Sequence, residues 1–343
     1  MAWPGRLPLA AAPRSPISTE TLMHRLACAA LSLFFCLPGA SRAAGFPDRP
    51  ITLVVPVAAG GTMDIAGRVL AQHMKDALGQ TVVVENRPGG SGNIAYTQVA
   101  RAQPDGYTLL FSYEGFHTGS PALSTNQGWD PVRSFTAIGE VFRGPHVILV
   151  PKNAPAQTLE QLIAQAKAQP GKLNYASSGV GSIQHLGAEQ FKQLTGTDII
   201  HVPYNGAAPG MKDLIAGRVQ LFITTPPSAI GHLQAGTIRA LAITSKKRHP
   251  MLPDVPTTAE AGLPQFTLEA WFSLFGPAGM PAAVRDQLEQ ALQTVVQSPG
   301  FAAQINELGA YASYRSAAEL DGIVQDGLAH WAAVVKAAGL AAN

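Results

Sequence analysis

The chain has 343 residues, 46% of them hydrophobic and 13% charged, with 24 Lys+Arg against 22 Asp+Glu and a formal net charge of +2. That is ample for a large core, and the length suggests two domains. Two cysteines exclude a disulfide-rich scaffold.

The N-terminus reads as an export signal. Residues 23–44, MHRLACAALSLFFCLPGASRAA, hold a short basic start at His24 and Arg25 and an apolar stretch from Leu26 to Leu37. Pro38 and Gly39 break that stretch, and Ser41-Arg42-Ala43 supplies small residues for signal-peptidase cleavage after Ala43. Met23 serves as an alternative start. Cleavage removes residues 1–43, four basic residues, one acid and both cysteines, Cys28 and Cys36, leaving 20 basic residues against 21 acidic ones. The mature chain then excludes thiol catalysis and Cys-ligated metals, and nothing basic remains to recruit nucleic acid or anionic lipid. No later apolar run approaches the ~20 residues of a membrane span. The expected product is soluble, exported and periplasmic.

From residue 50 the pattern is α/β. Ile51–Val55 reads as a buried strand stopped by Pro56, followed by an Ala/Gly loop. Ile65, Val69, Leu70, Met74 and Leu78 recur at helical spacing, and Gly79 ends that helix. Strands are expected at Thr81–Val84 and Tyr107–Phe111, with a short helix from Ile94 to Arg101 between them. The rhythm repeats as strand Val147–Val150, helix Leu159–Ala168, strand Leu173–Ala176, helix Ile183–Leu194, strand Ile199–Val202, helix Met211–Ala216, strand Val219–Ile223, a helical Pro226–Leu233 and strand Ile238–Ile243. A proline-rich stretch follows, then amphipathic helices over 281–297 and 317–338. Alternating strands and helices imply mostly parallel sheets flanked by helices. The expectation is a two-lobed α/β fold with a ligand cleft between lobes: residues 46–143 plus 246–343 form lobe I, residues 144–245 form lobe II, and the C-terminal helices pack back on lobe I.

Two turns could bind an anion. Pro56–Arg68, PVAAGGTMDIAGR, is strand, glycine turn and helix start, which brings free N–H groups and the positive end of a helix dipole to one spot. Its candidates are Ala59, Gly60, Gly61, Thr62 and Asp64, the acid also being favoured by the dipole alone. Residues 175–189, YASSGVGSIQHLGAE, repeat the layout, with candidates Ser177, Ser178, Gly179, Gly181, Ser182 and His185, and with Ser182 as the helix N-cap. Either turn alone could be an ordinary βα connection; together they could form the two lips of a cleft.

Other signals point to little. Gly90-Ser91-Gly92-Asn93-Ile94-Ala95 fits a dinucleotide fingerprint but sits too far from its strand. No G-x-S-x-G elbow and no metal-spaced histidine pair occurs, so no catalytic residue, metal or cofactor is implied. His185 and His201 could face the cleft or be structural. Trp271, Phe272 and Phe275 read as core or hinge, and Lys246–His249 as solvated surface. A periplasmic serine hydrolase using a serine of 177–182 with His185 as base is one alternative; a ligand-presenting sensor subunit is another.

The succession PVAAGGTMDIAGRVLAQHM, LGQTVVVENRPGGSGNIA, PDGYTLL, PGKLNYASSGVGSIQHLGAEQFK, HVPYNGAAPGMKDLIAGRV and RALAITSKKRHPMLPDVPTTAEAGLP resembles the Bug (TctC-like) receptors of tripartite tricarboxylate transporters, from about Phe46 to Leu340. The resemblance implies a monomeric, non-enzymatic receptor that closes on a small carboxylated solute and delivers it to membrane permease subunits. It implies that the two turns, Ala59–Asp64 and Ser177–His185, hold the carboxylate. The sequence departs from the family's first loop at Thr62 and Met63, and Phe111–Phe116, FSYEGF, is bulky for the family. A larger or aromatic acid is the expectation that follows.

Overall fold

The structure, a computed structural model, describes residues 45–340 apart from Gly61, residues 125–126 and Asn205, and leaves the side chains of Thr62 and Ser91 undescribed. The segment 1–43 expected to be an export signal, with Met23, Cys28 and Cys36, lies outside the described residues. Pro47–Asn343 forms one compact unit.

Within that unit the strands sort into two sheets. The first takes β1 (Ile51–Val55), β2 (Val82–Asn86), β3 (Thr108–Tyr113), β4 (Phe135–Pro145), β10 (Glu269–Pro277) and β11 (Tyr311–Ser316), in the order β11-β4-β10-β3-β1-β2. The second takes β5 (Val147–Pro151), β6 (Leu173–Ser177), β7 (Ile199–Pro203), β8 (Leu221–Thr224) and β9 (Ile238–Ile243), in the order β7-β6-β8-β5-β9. The chain passes from the first sheet to the second between β4 and β5 and returns between β9 and β10.

Both sheets are mixed, which corrects the expectation of mostly parallel pairing. β1 runs parallel to β2 and β3, and β6 parallel to β7 and β8. β10 is antiparallel to β3 and β4, β11 to β4, and β5 to β8 and β9. The physical reason is the double crossing. Parallel neighbours come from local strand–helix–strand units, whereas β5 and β10 each enter a sheet from the other one and have no such crossover helix. Sequence reasoning did not place β4, β10 or β11. β10 is buried along nearly its whole length, so it shows no alternation of apolar and polar residues. Trp271, Phe272 and Phe275 sit on it as core, with Phe272 stacked on Phe142 at 4.3 Å and Phe275 stacked on His117 at 4.3 Å.

Helices cover the sheets. α1 (Thr62–Leu78) and α2 (Asn93–Ala100) follow β1 and β2; α3 (Ser120–Leu123) follows a five-residue π-helical turn, Gly115–Gly119. α4 (Leu159–Ala168), α5 (Ile183–Thr195), α6 (Ala207–Ile215) and α7 (Ile230–Gln234) belong to the second sheet. α8 (Ala282–Val296), α9 (Pro299–Glu307) and α10 (Ala317–Ala337) return to the first. α10 is started by a capping box between Ser316 and Glu319, and it buries Leu320 and Val324 against Tyr96, Trp271 and Phe275. It also reaches the second lobe, where the Gln193 amide donates to the Val334 carbonyl at 2.8 Å. The two crossings are tied together at their base: His146 N–H donates to Thr244 Oγ1 at 2.8 Å, and that hydroxyl donates to Leu268 O at 2.6 Å.

Candidate functional site

Each parallel half-sheet directs the carboxyl ends of its strands toward glycine-rich turns, the place where open α/β sheets bind ligands. The first turn runs from β1 into α1. Ala59 and Gly60 are exposed, and Gly60 takes a left-handed φ of 88°. Gly61 and the Thr62 side chain lie outside the described residues. Asp64 is buried, and its carboxylate is fully engaged by its own lobe. Oδ2 accepts from Gly60 N–H at 2.8 Å and Arg68 Nε at 3.2 Å, and Oδ1 accepts from Asn86 Nδ2 at 2.9 Å. Burial would raise its pKa, but Gly60, Arg68 and Asn86 together outweigh burial and hold it below the usual carboxylate value. Asp64 therefore fixes the turn. Asn86, which sequence reasoning missed, completes the clamp by donating to Val57 O at 3.1 Å.

The second turn runs from β6 into α5 and is stitched by neutral groups. Gly179 N–H donates to Ser177 Oγ at 3.1 Å, and Gly181 N–H to His185 Nδ1 at 3.2 Å. Ser182 is the N-cap, as its position predicts: Oγ accepts from His185 N–H at 3.3 Å and donates to Gly179 O at 2.7 Å. Ser178 Oγ donates to Gln184 Oε1 at 2.8 Å. Gly179 and Gly181 have φ values of 130° and 82°, which other residues strongly disfavour. Ser177, Ser182 and His185 are buried, while Ser178 and Gly179 are half-buried.

Ser177 Oγ lies 2.6 Å from His201 Nε2, the spacing of a nucleophile and its base. The chemistry does not follow. His201 is stacked between Tyr175 at 4.8 Å and His185 at 4.1 Å, and burial, with smaller contributions from His185 and Lys192, pushes its pKa down to about 3. A base that weak takes no proton from a serine at neutral pH, and Ser177 is fully buried. His185 is also lowered by burial. Both imidazoles are neutral wall.

The partner of the second turn is the segment 113–123, which joins β3 to α3. A Cβ on Gly181 would meet Leu123 Cδ1 at 3.2 Å and Ser120 Oγ at 3.3 Å; one on Gly119 would meet Leu186 Cδ1 at 2.7 Å; one on Gly115 would meet Tyr113 Cε1 at 2.6 Å and Ile183 N at 2.9 Å. Glycine is what permits these approaches. Ser120 Oγ is shielded from solvent and has no partner among the described residues. The first turn joins through neighbours: Asn86 bonds Asp64, the 89–94 loop follows Asn86, and a Cβ on Gly92 would strike Phe116 at 2.7 Å. The structure thus gathers Ser177, Ser178, Gly179, Gly181, Ser182 and His185 into one turn that approaches residues 113–123 at Gly181, Ile183 and Leu186, and it places Gly60 and Asp64 beside Asn86, with Ala59 exposed next to Gly60. Tyr113 and Gly115 fall within FSYEGF, noted in the sequence only for its bulk, and Gly119 and Ser120 were not singled out. The signal that would have found them is a third glycine-bearing segment after a buried strand.

Glu114 anchors this segment from behind. Its Oε1 accepts from Trp331 Nε1 at 3.0 Å and its Oε2 from Trp271 N–H at 3.3 Å, so β3, β10 and α10 meet at one carboxylate. Burial pushes its pKa up to about 7 despite those donors and Arg143. An open groove of about 220 Å³ flanks α4 and the end of β5 in the second lobe, away from these turns.

A family model described as tripartite tricarboxylate transporter family receptor matches residues 66–340. BugT of Bordetella pertussis is 35% identical over 299 residues, covering 86% of this chain and 90% of that protein. A protein of R. palustris solved with adipate superposes with a TM-score of 0.81 at 37% identity, covering 87% of this chain and all of that one. MatC of Rhodopseudomonas palustris, solved with bound malate, gives 0.77 at 32%, covering 84% and 100%. The periplasmic binding protein BugD gives 0.78 at 36%, covering 87% and 100%.

Proposed function

The chain belongs to the tripartite tricarboxylate transporter receptor family, a family of solute-binding proteins and not of enzymes, and from that premise we propose that it captures a small organic acid in the periplasm and hands it to the permease of such a transporter. The carboxylate is held between the β6–α5 turn and residues 113–123, with the β1–α1 turn as the third wall. The observation that carries this reading is Ser120 Oγ, an unpartnered, solvent-shielded hydroxyl against Gly181 beside the N-terminus of α5. A helix N-terminus favours an anion, and a hydroxyl in a closed crevice gives it a short hydrogen bond in a low dielectric. Adipate and malate in the related structures support the choice of an acid.

Export through the segment 1–43 and a monomeric receptor complete the proposal. Among the described residues no helix is long and apolar enough to cross a membrane. Calorimetric titration of the purified protein with mono-, di- and tricarboxylates tests the reading. One-to-one binding of at least one acid is expected, and no heat from any of them would contradict it.

A further inference from the structure

Ser120, whose hydroxyl meets the carboxylate in the reading above, stands at the end of an unusual turn. Its N–H donates to Gly115 O, which closes the π-helical turn Gly115–Gly119. An α-helical turn would pair that N–H with Phe116 O and turn Ser120 to another face. π-helical turns are rare and concentrate at functional sites, so what holds this one bears on the site.

The two glycines do not hold it. Both lie against α5, where an added Cβ would meet Ile183 N or Leu186 Cδ1, and neither has a side chain to anchor. The Thr118 hydroxyl bonds within the segment, donating to Glu114 O at 3.0 Å. Among the described residues, His117 is the one side chain of the turn with hydrogen-bond partners beyond residues 114–119. Its ring points away from α5 into the first lobe, fully buried and stacked on Phe275 at 4.3 Å. Nε2 lies 2.9 Å from Pro131 O, and Nδ1 lies 2.9 Å from Ser112 Oγ.

These partners assign the protons. Burial pushes the imidazole's pKa down to about 4, so the ring is neutral and carries one N–H. A carbonyl can only accept, so Nε2 holds that proton and donates to Pro131 O. Nδ1 then accepts from the Ser112 hydroxyl, whose oxygen in turn accepts from Tyr96 OH at 2.7 Å. Tyr96 OH accepts from Tyr113 N–H at 3.3 Å. The chain of bonds ties the turn to β3, to α2 and to the residues before β4, with no charge and no donor wasted.

We propose that His117 is a positioning residue for the solute: by pinning the π-helical turn to the first lobe, it sets Ser120 Oγ opposite Gly181, where the carboxylate is received. This inference rests on the reading of Ser120 as the carboxylate's partner.

A double-mutant cycle tests it, read by calorimetric titration with adipate and malate, the acids of the related structures. Ser120→Ala should weaken binding about tenfold, the scale of one hydrogen bond to a charged group. His117→Phe keeps a buried ring and removes both of its bonds, and should also weaken binding about tenfold. The double variant should stay about tenfold weaker than the wild type, and not about a hundredfold, because His117 acts through a hydroxyl that is already gone. Ser112→Ala leaves the ring in place and removes its Nδ1 partner; it should cost about threefold with Ser120 present and nothing in its absence. It decides the matter alone if His117→Phe does not fold. A merely structural role would lower the melting midpoint and leave the affinity of the folded protein unchanged. Unchanged affinity in His117→Phe and Ser112→Ala, or losses that multiply in the double variant, overturns the inference while the weakening by Ser120→Ala keeps the reading of Ser120 in place. Full affinity in Ser120→Ala, or failure of both acids to bind the wild type, overturns that reading and the inference with it.

Discussion

The two glycine turns share one layout, strand to glycine to helix, and are held by opposite means. The β1–α1 turn is exposed at Ala59 and Gly60 and is clamped by an ionised carboxylate, Asp64, with Arg68 and Asn86. The β6–α5 turn is mostly buried and is clamped by hydroxyls and imidazoles that carry no charge. Asp64 is itself buried, and its charge is tolerated because Gly60 N–H, Arg68 and Asn86 meet it. A buried turn that must receive an anion from solution is better held by neutral groups, because a fixed negative charge there would repel the solute and a fixed positive one would carry a large desolvation cost. The facing segment 113–123 follows the second pattern, with the Tyr113 phenol and the Ser120 hydroxyl.

The comparison can be broken at the wall between the turns. Gly115→Ala puts a methyl 2.9 Å from Ile183 N and 2.6 Å from Tyr113 Cε1. We expect acid binding to weaken by about a hundredfold, since backbone and ring cannot both give way, with each lobe still folded. Titration calorimetry beside circular dichroism checks both halves of that statement.

The next effect separates the charged clamp from the neutral one. Asp64→Ala strands Gly60 N–H, Asn86 Nδ2 and the Arg68 guanidinium, and should cost about 2–3 kcal/mol in urea unfolding. Ser182→Ala removes one neutral cap and should cost about 1 kcal/mol. Equal losses in the two variants would erase the distinction drawn here.

The smallest effect is a slope. Burial raises the Glu114 pKa from 4.5 to about 7, so the folded state keeps a proton that the unfolded chain releases near 4.5. Its contribution to stability is full below about 4.5 and is lost as pH rises through 7. Tyr113 lies beside it in the chain, and Arg143 and Glu140 act on it from β4, the first favouring and the second opposing ionisation. His117 and His146, both lowered by burial to about 4, act in the opposite sense: their contribution is lost as pH falls from 6.5 through 4. The difference between wild type and Glu114→Gln isolates the carboxylate. The wild type should lose more stability than the variant between pH 5 and pH 8, and parallel melting curves across that range would contradict the assignment.

The shape of both turns was legible in the sequence. Strand–glycine–helix order located both turns, and Ser182 read as an N-cap because its hydroxyl can serve the third residue of the helix. The expectation that Asp64 faces a ligand did not anticipate Arg68 and Asn86, since Asn86 is 22 residues away and meets it only once β1 and β2 pair. β4 and β10 were illegible for a different reason. Buried on both faces, they carry no period-2 signal, and their partners are more than a hundred residues apart in sequence. Tyr113 and Gly115 lay inside the FSYEGF stretch noted as bulky, but the closeness of Gly115 to the Ile183 nitrogen depends on the approach of two separate sheets.

Hydrogen–deuterium exchange of the protein with and without adipate, the acid bound in a related structure, tests the central claim most directly. The account predicts that added acid protects amides in residues 113–123 and 177–185 together, including Gly181, while the groove beside α4 is unchanged. Protection confined to that groove, or to one of the two segments without the other, would contradict a solute held between the lobes.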